Sequence, residues 1–164
     1  MNKGPFETII ETLAATEARF VIIGGIALRL HGSSYVTQDV DIFYPRSPED
    51  LEILVQAVNS LNPSLRLPDG SIPYRLDVQA LLNGANFTLT SESGDLDLLA
   101  YVGDGIDFDG VFERASVFEL YGHHVRVASL TDLLDMKKAA GRPKDLAHLA
   151  EIHALQSLAE EAKE

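Results

Sequence analysis

Apolar residues recur along this chain with two different periods, and the switches between them mark out the elements. Phe6, Ile9, Ile10 and Leu13 recur every three to four residues, which predicts a helix over 6–18. Residues 19–24, RFVIIG, form a nearly continuous apolar run, the pattern of a strand covered on both faces. A short helix follows over 25–30, closed by His31-Gly32, then a polar loop over 33–38. Residues 40–44 read as a second strand, ended by Pro45. Residues 48–59 read as a helix, with Ser47 as N-cap and Pro48 in the first position.

Residues 62–73 hold Pro63, Pro68, Gly70 and Pro73, and read as a loop. A short helix is expected over 74–82, before Asn83-Gly84. Residues 86–90 and 95–102 form a hairpin across 91–94, and a short helix follows over 108–115. A second hairpin joins 117–121 to 124–128 across Gly122. Ser129 opens a helix, with Asp132 where a capping box carries Glu or Gln, and Gly141 stops it. Pro143 starts the last helix; Leu146, Leu149, Ile152, Leu155 and Leu158 lie along one side, and the first three are expected to face the core. This order predicts an α+β (α/β-like) domain: a mixed β-sheet flanked by helices, with a helical C-terminal part. A single domain is expected over 1–164, with its core in 19–128 and C-terminal helices in 129–161.

One stretch stands out against this framework. The apolar run 21–23 ends in Gly24-Gly25, and after thirteen further residues comes Asp39-Val40-Asp41, leading again into apolar residues. Aspartates at i and i+2 of a strand project from the same face. Such crowded like charges call for a neutralising partner, and a divalent cation is the usual one. A glycine pair opening a helix leaves backbone N–H groups free to hold phosphate. Thr37 stands close enough in sequence to hydrogen-bond Asp39, to contact a nucleotide, or simply to cap the loop.

Composition narrows the classes. Apolar residues make up 46% of the 164 positions and charged ones 23%, as in ordinary globular domains. Cysteine is absent, which excludes disulfides, thiolate metal sites and cysteine nucleophiles. The net charge of −12 argues against a broad nucleic-acid surface. No apolar run has the length of a membrane span, and the first residues lack a signal-peptide core, so a cytoplasmic protein without membrane contact is expected.

The motif Gly24-Gly25-x-Ala27, with His31-Gly32 and Thr37-x-Asp39-x-Asp41, resembles the nucleotidyltransferase (DNA polymerase β-like) superfamily. Lys137 followed by Arg142-x-Lys144-Asp145-Leu146 resembles a C-terminal motif of the same group. The resemblance is to its small bacterial members, among them abortive-infection type toxins and antibiotic nucleotidyltransferases. It implies a nucleotidyltransferase fold and a third acid on a neighbouring strand. Asp97 fits that place, since Asp95 and Asp97 share a strand face and Asp97 sits deeper in the strand. It further implies that Asp39, Asp41 and Asp97 are the catalytic and metal-binding residues, for Mg2+ or Mn2+. Gly24, Gly25, Thr37, Lys137 and Lys144 would then hold a nucleoside triphosphate such as ATP. The implied reaction moves an NMP group from NTP to an acceptor hydroxyl on a small molecule, a protein or an RNA. A toxin with an antitoxin partner fits the same resemblance. The chain departs from the pattern at Tyr35, where related proteins usually carry arginine, and at His148, where they often carry aspartate. These departures favour the alternative of a nucleotide-binding regulatory protein that keeps the fold with little or no catalysis. A partner-binding scaffold is a third class, but it leaves the aligned carboxylates unexplained.

Overall fold

The computed structural model describes residues 3–84 and 86–163; positions 1, 2, 85 and 164 of the expected domain lie outside the described residues. The elements run α1 (Glu7–Ala14), β1 (Val21–Ile23), α2 (Gly24–Leu30), β2 (Asp39–Phe43) and α3 (Pro48–Asn59). They continue as β3 (Ser64–Leu67), β4 (Gly70–Pro73), α4 (Val78–Leu82), β5 (Phe87–Ser91), β6 (Gly94–Leu99) and α5 (Phe108–Arg114). The chain closes with β7 (Ser116–Leu120), β8 (His123–Val127), α6 (Leu130–Ala140) and α7 (Pro143–Glu161).

All eight strands join one mixed sheet in the order β4-β3-β5-β6-β2-β1-β8-β7. The centre is what positions the acids. β2 pairs in parallel with β6, and the register sets Asp39 opposite Asp95 and Asp41 opposite Asp97. Four carboxylates therefore project from one sheet face. The alternate residues Val40, Ile42, Leu96 and Leu98 point the other way and are buried. There they share a core with Ile9, Ile10 and Leu13 of α1, Leu51, Leu54 and Val58 of α3, and Leu81 of α4. At roughly 25 cal/mol per Å² of apolar surface removed from water, this layer keeps the central strands in register, because a one-residue slip would bury the acids.

Three expectations are corrected. The helix expected over 6–18 ends at Ala14, because the Thr16 hydroxyl donates to the Leu13 carbonyl at 2.7 Å and takes up a C-terminal acceptor. The proline-rich stretch 62–73 is not a loop but the hairpin β3–β4. Its prolines sit where a sheet tolerates them: Pro63 precedes β3, Pro68 opens the two-residue turn with Asp69, and Pro73 ends an edge strand. Last, Leu146 and Leu158 of α7 are exposed, and the buried side of that helix carries Asp145 and Ile152, with Leu149 and Leu155 partly covered. Leu146 lies about 100° around the helix from Asp145, so only one of the two can face inward.

Candidate functional site

The site forms where β1 stops. Ile23 pairs with Asp41 across the antiparallel β1–β2 ladder, and the next residue, Gly24, turns at φ +69° into α2. A Cβ at Gly24 would stand 2.1 Å from Asp41 Oδ2, so only glycine lets this carboxylate lie over the helix entrance. A Cβ at Gly25 would meet the Thr37 side chain at 2.7 Å and the Tyr35 ring at 2.8 Å. Thr37 in turn donates its hydroxyl to the Asp39 carbonyl at 3.1 Å. The glycine pair is thus fitted to the loop and the acids, and the first N–H groups of α2 have no partner within the helix.

Asp39, Asp41 and Asp97 each offer a carboxylate oxygen, and these oxygens lie within 4.8 Å of one another. Burial, followed by the charges of Asp39 and Asp97, pushes Asp41 up to about 8 from an ordinary 3.8. Asp97 is also raised, chiefly by burial; Arg66 opposes the rise and the Asp39 charge adds to it. Carboxylates displaced in this sense would be relieved by a divalent cation. Oxygen donors from three aspartates also fit the preference of Mg2+ or Mn2+ for hard ligands.

A cleft of about 560 Å³ opens beside Asp41 and is lined by Gly24, Tyr101, Met136, Lys137 and Arg142, among others. Lys137, late in α6, donates to Asp145 Oδ1 at 3.0 Å, and Arg142 donates to Asp145 Oδ2 at 2.6 Å. Asp145 has no exposed surface. Burial opposes its charge, but hydrogen bonds from Arg142 and Lys137 hold its carboxyl below the usual aspartate value. Asp145 therefore ties both cations to the wall of the cleft. Lys144 is exposed and is not among the residues lining that cleft.

Asp104 is exposed and lines the cleft beside Tyr101. One residue that the sequence pattern leaves unread also belongs here. Arg66 of β3, hidden in the presumed loop, reaches Asp97 Oδ1 at 2.7 Å and Asp95 Oδ2 at 3.1 Å. The Leu67-Pro68-Asp69-Gly70-Ser71 run is a turn signal that would have found its hairpin. The two positions that depart from the resembling pattern touch each other: the Tyr35 and His148 rings meet edge to face at 4.7 Å. Burial and then the Lys137 charge hold His148 below its ordinary 6.5, and its Nδ1 has no partner among the described residues. His31 caps α2 and bonds the Ala128 carbonyl at 2.8 Å, a structural role.

No family model and no curated protein sequence matches the chain. Solved structures do. The antibiotic-resistance factor ANT(2'')-Ia superposes with a TM-score of 0.51 at 17% identity, covering 95% of this chain and 89% of that one. A Thermotoga maritima protein assigned to the nucleotidyltransferases gives 0.51 at 14% identity, with 93% and 89% covered. An antigenic nucleotidyltransferase-like protein from Paracoccidioides brasiliensis gives 0.51 at 17%, with 94% and 76% covered. This chain has the nucleotidyltransferase fold. Within that nucleotidyltransferase fold, β2 and β6 carry the acids, α2 opens at the glycines, and α6 and α7 close the cleft.

Proposed function

We propose that this chain is a metal-dependent nucleotidyltransferase that moves an NMP group from a nucleoside triphosphate to an acceptor hydroxyl. The observation that carries this reading is the convergence of Asp39, Asp41 and Asp97 at the helix entrance marked by Gly24. Asp39, Asp41 and Asp97 would hold Mg2+ or Mn2+. Such a cation, when bound, supplies positive charge that offsets the attacking and leaving oxygens of an in-line displacement. Gly24 and Gly25 would present N–H groups to phosphate oxygens, Thr37 would brace Asp39, and Lys137 would add charge beside the triphosphate. The acceptor oxygen attacks the α-phosphorus, the bond to the bridging oxygen breaks, and pyrophosphate leaves with that electron pair. Asp97 would hold the metal near the acceptor hydroxyl or take the acceptor proton.

The test is pyrophosphate release from each NTP with Mg2+ or Mn2+, offered small-molecule, protein and RNA acceptors. Release is expected for the unaltered chain and its loss for Asp41→Asn. The Tyr35–His148 contact favours a second reading, a nucleotide-binding regulatory protein with little turnover. That reading predicts a Mg2+-dependent thermal shift with NTP and no pyrophosphate. A toxin role with an antitoxin partner, and residence in the cytoplasm, extend the proposal and are tested by growth arrest on expression and its relief by a neighbouring gene.

A further inference from the structure

Arg66 stands among the acids although its strand is not their neighbour. β3 pairs with β5, which separates it from β6. The β5 residues opposite Asp95 and Asp97 are Thr90 and Thr88, short side chains that let a long arginine pass over the strand. One guanidinium nitrogen, Nη2, lies 2.7 Å from Asp97 Oδ1 and 4.0 Å from Asp39 Oδ2. The other, Nη1, lies 3.1 Å from Asp95 Oδ2 and donates to the Leu89 carbonyl at 3.2 Å. Nη2 therefore occupies ground next to two of the three proposed metal ligands, while Nη1 holds an acid outside that set. The β3–β5 ladder pairs Ser64 and Leu65, so Arg66 lies just past the last residue of its strand held by β5 and is paired there with Ser71 of β4 alone. Beyond it, all four residues of β4 are exposed.

We propose that Arg66 is a built-in counter-cation of the metal site. In the metal-free chain it holds Asp97; when a divalent cation binds, the guanidinium releases Asp97 and stays on Asp95. The inference rests on Asp39, Asp41 and Asp97 being the metal site. A guanidinium and a divalent cation cannot both sit a few Å apart against the same carboxylate without strong repulsion at a half-buried position. Asp95 thereby gains a role: it is the place where the arginine rests, not a metal ligand. Arg66 is a positioning residue that sets how readily the acids accept metal and links the edge hairpin to metal occupancy.

The test measures Mn2+ binding without nucleotide, by the electron paramagnetic resonance of free Mn2+. Arg66→Gln removes the competing charge and is expected to tighten Mn2+ about tenfold or more, the size of effect that a unit charge a few Å away produces. Asp95→Asn is expected to weaken Mn2+, because the arginine then stays on Asp97. In the Arg66→Gln background, Asp95→Asn is expected to lose most of that effect, which separates a resting place from simple loss of negative charge. Equal or weaker binding by Arg66→Gln, or an undiminished Asp95→Asn effect in the double variant, overturns the proposal and leaves the metal site standing. Mn2+ binding that is absent from all variants, or unaffected by Asp39→Asn, overturns the metal site and this inference with it. If Arg66→Gln does not fold, the unaltered chain decides through its arginine side-chain N–H signals in a Mg2+ titration. Loss of the hydrogen-bonded Arg66 signals to Asp97 supports the exchange, and unchanged signals at saturating Mg2+ refute it.

Discussion

At the residue scale the site is a case of crowding held in place by packing. Asp41 has a native pKa of about 8 against an ordinary 3.8, so between those values the unfolded chain binds fewer protons than the folded one. Stability of the metal-free protein therefore falls as pH rises through that window. Asp41→Asn has no charge to accommodate, so its thermal midpoint in chelator should fall less between pH 5 and pH 8 than that of the unaltered chain. Parallel slopes would show that Asp41 is not strained by its neighbours. Gly24→Ala places a methyl group against Asp41 Oδ2 at a positive φ, and such backbone strain costs about 1–3 kcal/mol. Urea titration should show at least that loss, together with weakened Mn2+ binding. The period-two spacing of Asp39 and Asp41 is legible in the sequence because it is local. The choice of Asp97 over Asp95 is legible from its depth in the strand, whereas the parallel register that sets it opposite Asp41 joins strands more than fifty residues apart and is not.

At the element scale the division between what local pattern reveals and what it hides is physical. The helices α3 and α6 follow from a proline or serine at the start and a matching apolar face, and their bounds are as the pattern predicts. The β3–β4 hairpin is obscured because proline and glycine serve equally for loops and for exposed edge strands. With the hairpin went Arg66, the only cation facing the acids from the sheet among the described residues. Helix α7 misleads for a different reason. Its leucine spacing suggests a continuous apolar stripe, but the fold uses the Asp145 side to secure Lys137 and Arg142. Lys137 lines the cleft and Lys138 is exposed. Lys137→Ala should therefore weaken NTP binding about tenfold in a calorimetric titration, on the scale of a charge-assisted hydrogen bond, while Lys138→Ala should change it little. Equal losses would mean that only general surface charge matters.

At the scale of the whole molecule, a chain with a net charge of −12 gathers Lys137 and Arg142 in the lining of a cleft to which the carboxylate cluster contributes Asp41. Ile152 of α7 is fully buried among the residues of the common core. Ile152→Ala should cost about 2–5 kcal/mol in urea, with sheet and helix lost in a single transition. Two transitions would divide the C-terminal part from the sheet. The α+β class is legible from element order alone, whereas the cleft is not, since it arises from contacts between the two ends of the chain. The central claim is that the three aspartates form a metal site that handles a nucleoside triphosphate. It is tested most directly by a crystal structure with Mn2+ and a non-hydrolysable NTP, using the anomalous signal of manganese. The account predicts manganese between Asp39, Asp41 and Asp97, with the triphosphate over Gly24 and Gly25 and near Lys137. Manganese elsewhere, or a nucleotide bound away from the glycines with the three acids empty, would contradict it.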